Sequence, residues 1–130
     1  MIKLRGHHLI CLHFFRNGPE PLRTKVLEVI QRAEQGEEIE VVEGPDEVCT
    51  SCPYFKNGVC TFTENAEEEI REMDKKALEL LNLKPGTKVK WSDLKTKLQT
   101  DKNIVRTWVE EYCSTCDFKE TCEKEYSKYL

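Results

Sequence analysis

The chain has 130 residues, of which 38% are hydrophobic and 34% are charged, so it can bury one modest core in a single small domain. Its formal net charge of -4 at pH 7 argues against the basic face that non-specific nucleic-acid binding requires. No stretch has the apolar length of a transmembrane helix, and the histidine-interrupted start lacks a signal-peptide cleavage site. We therefore expect a cytoplasmic protein with no nucleic-acid or membrane partner.

The first half of the chain predicts two helices and an extended segment. A helix over about residues 6–16 is apolar on nearly all sides, which is typical of a buried helix. After "RNGPEP", Pro21 fits the first position of a second helix, and Gly36 fits its end. An extended segment, "IEVVEGP", then leads into the first group of cysteines. The apolar stripe of the second helix consists of Leu22, Val26, Val29, Ile30 and Ala33.

Three further helices are predicted in the second half. Asn65 and Glu68 form a capping pair for the third helix, which "KPG" ends, and "KVKW" is a candidate strand to pair with residues 39–42. Ser92 is the predicted cap of a short helix, and Asp101 is the predicted cap of a helix that leads directly into Cys113. The stripe of the third helix consists of Ala66, Ile70, Met73, Ala77, Leu80 and Leu81.

These elements predict a mainly α protein that forms a single domain over residues 1–130. We expect about five helices, at most a short two-stranded ladder, and two cysteine-rich metal-binding loops. The loops, at 49–60 and 113–122, are expected to dock on the first helix.

The two loops repeat one pattern, "CTSCPYFKNGVC" and "CSTCDFKETC", in which a Cys-x-x-Cys pair precedes Phe-Lys and a third Cys. A Cys-x-x-Cys turn can aim two sulfurs at one centre, and soft thiolates select zinc or iron–sulfur clusters over calcium and magnesium. The cysteines of both loops have Thr, Ser, Pro, Asp and Lys as neighbours, which is not typical of buried free cysteines. The predicted ligands are Cys49, Cys52, Cys60, Cys113, Cys116 and Cys122.

Each triplet needs one more donor, because neither a tetrahedral zinc site nor a four-cornered cluster is complete with three. The remaining soft donors are His7, His8, Cys11 and His13, all on the predicted first helix. His7 and Cys11 are four residues apart and share a helix face. Six triplet cysteines and two of these donors would complete two centres, and at least one of His7, His8 and Cys11 should lie near a triplet sulfur.

Other assignments remain open from the residues alone. One cluster could use four of the six triplet cysteines, or one centre could keep a corner open for water, substrate or a small thiol. The histidines could be ordinary hydrogen-bonded residues, and Cys11 could be a nucleophile activated by His7.

The segments "LRGHHLICL", "EEIEVVEGPDEVCTSCPYFKNGVC", "LNLKPGTKVKWSDL" and "CSTCDFKETC" together resemble a prokaryotic family, the domain of unknown function 1284. The resemblance runs essentially end to end and implies an iron–sulfur-binding protein of about this length. The family usually has Pro in place of Gly6, a change expected to affect the start of the helix and no ligand. The second triplet is also similar to the Cys-x-x-Cys-x5-Cys part of the auxiliary iron–sulfur cluster domains that are attached to some radical enzymes.

Three functions follow as hypotheses. The first is an iron–sulfur protein, with a 4Fe–4S or related cluster, that works in electron transfer or redox sensing with a redox partner protein. The second is a zinc-stapled domain that binds a partner, and the third is a small metalloenzyme with an open metal corner. The sequence does not decide whether the protein is an enzyme. It contains no Gly-rich phosphate loop, no Gly-x-Ser-x-Gly elbow and no radical-SAM cysteine signature.

Overall fold

The computed structural model describes residues 1–15, 20–51, 66–113 and 122–129, and in addition the backbone at 55–56, 59–60 and 119–121. Helices dominate this part of the chain, so the predicted mainly α class is confirmed. The helices are α1 (His8–Cys11), α2 (Leu22–Glu34), α3 (Ala66–Leu81), α4 (Trp91–Thr100), α5 (Lys102–Tyr112) and α6 (Lys119–Tyr126).

A three-stranded sheet packs with the helices, in the order β1 (Ile2–Arg5), β2 (Ile39–Val42), β5 (Lys88–Val89). β1 and β2 are parallel, with Ile2 opposite Ile39, and β5 is antiparallel to β2. The predicted pairing of "KVKW" with residues 39–42 is therefore confirmed. The sheet has one strand more than expected. A separate hairpin of β3 (Phe55–Lys56) and β4 (Val59–Cys60) lies within the first cysteine loop.

The predicted long first helix is wrong in its bounds. Residues 2–5 form β1, and α1 is only one turn long, followed by further turns up to Phe14. The strand forms because Ile2 and Leu4 are fully buried and pair with β2, a long-range contact that local periodicity does not reveal. Residues 9–15 are still mostly buried, as their composition indicated.

The other helices follow the sequence pattern closely. All five residues of the predicted α2 stripe are buried, and Gly36 follows its end with a φ of +99°, a conformation that favours glycine. Asp101 caps α5 by accepting a hydrogen bond from the backbone N–H of Asn103, at 3.1 Å. α4 begins one residue before Ser92, which therefore lies inside the helix, and Asn65 lies outside the described residues.

The two cysteine loops are described only in part. The first begins with a 3₁₀ turn at Cys49–Ser51, directly after the segment that follows β2. The second begins at the end of α5 and continues into α6, a helix that the sequence analysis did not predict. Cys52 and Cys116 lie outside the described residues, as does the side chain of Cys60.

Candidate metal centre

The turn between β1 and α1 brings the chain against helix α3. A Cβ atom at Gly6 would lie 2.4 Å from the carbonyl oxygen of Asp74 and 2.8 Å from its Cα. Only glycine fits this approach without movement of the backbone. Position 6, which the sequence analysis connected with the start of the helix, therefore also sets the distance between this turn and α3. Gly6 allows the next two residues, His7 and His8, to lie beside α3.

His8 is held by a buried carboxylate. Its Nδ1 lies 2.6 Å from Oδ2 of Asp46, which also accepts a hydrogen bond from the backbone N–H of Arg5 at 2.8 Å. Oδ1 of Asp46 accepts hydrogen bonds from the backbone N–H groups of Val48, at 2.9 Å, and Cys49, at 3.1 Å. A carboxylate offers about four lone-pair sites, and these four donors use them. Asp46 therefore orients His8 and shapes the turn at Cys49, and its oxygens are already engaged.

His7 is held in the same way by Asp74 of α3. The Nδ1 of His7 lies 2.7 Å from Oδ1 of Asp74, and the backbone N–H of His7 donates to the same oxygen at 2.9 Å. The two histidine rings are adjacent, with centroids 4.1 Å apart. An ionised carboxylate only accepts hydrogen bonds, so each Nδ1 donates to its aspartate and Nε2 is the ring nitrogen left for another partner. This carboxylate–imidazole arrangement is typical of metal-binding histidines.

Arg5 connects the two pairs. Its side chain is fully buried, and its Nε donates to Oδ2 of Asp74 at 2.8 Å. Its Nη2 donates to Glu67 of α3 at 3.2 Å, and its Nη1 donates to Sγ of Cys49 at 3.5 Å. The guanidinium group therefore contacts two carboxylates and the first triplet sulfur.

Burial and these contacts shift the pKa values of the site. Burial tends to raise the pKa of Asp46, but the contact with His8 and the backbone N–H groups lower it well below its ordinary value. Burial, reinforced by His8, lowers the pKa of His7 to about 4 against the opposing effect of Asp74, so this imidazole is neutral at pH 7. Burial and the Asp46 carboxylate raise the pKa of Cys49 to about 12. Metal binding at Cys49 would thus displace a proton.

Three of these donors converge. A ring nitrogen of His8, a carboxylate oxygen of Asp46 and Sγ of Cys49 all lie within 4.8 Å of one another. His7 lies beside this group without being part of it. Because the oxygens of Asp46 are engaged, and Nδ1 of His8 with them, the donors left for a metal ion are Nε2 of His8 and Sγ of Cys49. This donor set fits zinc or an iron–sulfur cluster better than calcium or magnesium.

The remaining predicted ligands lie elsewhere in the described part of the chain. Cys113 is buried in the hydrophobic core, and Cys11 and Cys122 are half-buried against it. These three cysteines do not form a second convergent group among the described residues. His13 is buried and stacks on Trp91, with ring centroids 3.9 Å apart. The predicted site at the second triplet stays a prediction.

Sequence reasoning missed the residues that support the site. Arg5, Asp46, Glu67 and Asp74 were not singled out. One signal was available for Asp74, since it falls on the side of α3 that also carries Ile70 and Ala77. Arg5 and Asp46 were harder to identify, because the contacts of Arg5 with Asp74 and of Asp46 with His8 each join residues more than 35 positions apart.

The chain was compared with known families and proteins. The family described as "Protein of unknown function (DUF1284)" matches residues 22–122. The chain belongs to this family. The segment that matches DUF1284 contains Asp46, Asp74 and all six triplet cysteines, whereas Arg5, His7 and His8 precede it. No curated protein and no solved structure was found to match. Among the described residues, no helix is long and apolar enough to cross a membrane.

Proposed function

We propose that this protein binds an iron–sulfur cluster at the first cysteine triplet and works in electron transfer or redox sensing. The observation that carries the proposal is the convergence of His8 with Cys49 around a carboxylate whose oxygens are already engaged. The accessible donors are then nitrogen and sulfur, and Cys52 and Cys60 are the predicted further thiolates. Three cysteines and one histidine supply the four protein ligands that a cubane cluster uses.

The residues around the donors suit this role. Arg5 donates an N–H to the sulfur of Cys49, and such hydrogen bonds are one of the factors that set the reduction potential of iron–sulfur clusters. The bound group would supply the one-electron chemistry. The chain would hold it through Cys49 and His8, keep His8 oriented through Asp46, and limit the access of water.

Zinc is the second candidate, and the orientation of His8 by Asp46 favours it specifically. Carboxylate–histidine–zinc arrangements recur in zinc proteins, and three thiolates with one imidazole form a common structural zinc site. In that case the metal would staple the domain, whose function would be to bind a partner.

Two variants test the ligands. His8→Gln and Cys49→Ser should each lose most of the metal of the first centre, measured as metal per chain after purification without oxygen. His13→Gln is the matched control, because His13 stacks on Trp91 and takes no part in the convergent group. Metal content unchanged in both His8→Gln and Cys49→Ser would refute the placement of the centre.

A further inference from the structure

The inference concerns Arg5, and it rests on the proposed metal centre. Arg5 has no exposed side-chain surface, and each of its guanidinium nitrogens has a partner. Nε binds Asp74 and Nη2 binds Glu67, both of which are carboxylates. Nη1 binds Sγ of Cys49, which is a predicted metal ligand. A buried arginine is normally matched by anions, so a sulfur in this position indicates a thiolate partner in the metal-loaded protein.

Arg5 also reaches the second ligand of the centre indirectly. Its backbone N–H donates to the oxygen of Asp46 that holds His8, and its Nε fixes the Asp74 carboxylate that holds His7. One residue at the end of β1 is therefore linked to both histidines and to the sulfur.

We propose that Arg5 is the positioning residue that sets the donor strength of the Cys49 thiolate in the metal centre. An N–H···S bond and a nearby positive charge withdraw electron density from a coordinated thiolate. In an iron–sulfur cluster this makes reduction easier and raises the reduction potential. In a zinc site it makes the coordinated thiolate less nucleophilic.

Glu67 counteracts the positive charge that Arg5 places near the sulfur of Cys49. Its Oε1 lies 3.2 Å from Nη2 of Arg5 and also 3.3 Å from Nε of Arg71. The side chain of Glu67 is 16% exposed, and it sits in the first turn of α3. The carboxylate of Glu67 thus neutralises part of the positive charge of Arg5. Removing the charge of Glu67 leaves more of the charge of Arg5 to act on Cys49.

The two residues therefore predict opposite effects on one measured quantity. Arg5→Lys keeps the positive charge, but a lysine cannot contact three partners in fixed directions. We expect the reduction potential of the cluster to fall in Arg5→Lys and to rise in Glu67→Gln. If the metal is zinc, the rate at which an alkylating reagent modifies the coordinated thiolate of Cys49 should rise several-fold in Arg5→Lys and fall in Glu67→Gln. Arg32→Lys is the control, because Arg32 pairs with Glu37 and Glu47 at the surface and should leave both quantities unchanged.

The experiment uses the full-length protein purified without oxygen, with circular dichroism to check folding. Arg5 is buried, and if Arg5→Lys does not fold, Glu67→Gln alone decides the question, because glutamine keeps the size of the side chain at a partly exposed position. A shift in the opposite direction, or no shift, in Glu67→Gln would overturn the role of Arg5. A wild-type protein that contains neither iron nor zinc would instead overturn the proposed function.

Discussion

Two buried aspartates, Asp46 and Asp74, each fix the ring of one histidine through its Nδ1. Asp46 is the more constrained of the two, because backbone N–H groups from β1 and from the turn at Cys49 also bind it. A change at this one carboxylate therefore affects both the imidazole and the thiol of the proposed centre. At the scale of single residues, the site depends on these carboxylates as much as on the ligands themselves.

Asp46→Asn tests this dependence. The amide nitrogen of an asparagine cannot accept the hydrogen bonds that now reach both oxygens, so His8 or the turn at Cys49 must shift. We expect metal affinity to fall by about 10–100-fold, measured by competition with a chelator. The free energy of unfolding should fall by about 1–3 kcal/mol. Asp93→Asn, at an exposed position in α4, is the control, and equal affinities in the two variants would contradict the role of Asp46.

Gly6→Ala tests the close approach of the β1–α1 turn to α3. The added methyl group would overlap backbone atoms of Asp74, which cannot move aside as a side chain could. We expect a loss of about 1–3 kcal/mol in the free energy of unfolding, measured in urea, together with weaker metal binding. Gly36→Ala is the comparison, since its added Cβ would meet no atom within 4 Å. It should cost only conformational strain and leave metal binding intact. A Gly6→Ala protein as stable as the wild type would show that the turn can relax.

At the scale of elements, β1, α1 and α3 build the site together with the turn at Cys49. Helix α2 was predictable because its apolar residues recur every three or four positions and its ends carry turn-forming residues. β1 was not predictable, because its four residues become a strand only by pairing with β2, more than 30 residues away. The position of Asp74 on the apolar side of α3 was a signal, but its partners Arg5 and His7, near the start of the chain, were not predictable.

Helix α5 provides a prediction at this scale. Asp101 caps it, and the helix leads directly to Cys113, the start of the second cysteine loop. Asp101→Ala removes the hydrogen bond to the N–H of Asn103 and should cost about 0.5–2 kcal/mol of stability, measured as a lower melting temperature. Asp101→Asn should restore most of the loss, because asparagine caps helices about as well. Equal melting temperatures for the Ala variant and the wild type would show that the cap contributes little.

At the scale of the whole molecule, the core is small and the first cysteine loop adjoins the most polar part of the interior. Buried groups there include Arg5, Asp46 and Asp74. A charged interior of this kind is stable only while every group keeps its partner. The paired cysteine loops could be recognised from the sequence because ligand spacing is local. The further donors that complete a metal site with these cysteines could not be predicted, because their positions depend on how β1 and α3 pack.

Metal removal should therefore destabilise the fold. Structural metal sites in small domains supply on the order of 10 kcal/mol, which is comparable to the stability of a whole domain. We expect chelator treatment, or Cys52→Ser, to lower the melting temperature strongly or to abolish cooperative unfolding. Cys11→Ser is the comparison and should keep the metal of the first centre, because Cys11 packs against the hydrophobic core. Loss of the first-centre metal in Cys11→Ser would instead make Cys11 one of its ligands.

The most direct test of the central claim is the metal and sulfide content of the wild-type protein purified without oxygen. The claim predicts brown protein with iron and acid-labile sulfide in the amounts of one or two clusters per chain. Colourless protein with stoichiometric zinc would support the metal centre but assign it a structural role. Protein that contains neither metal, and that still unfolds cooperatively after chelator treatment, would contradict the account.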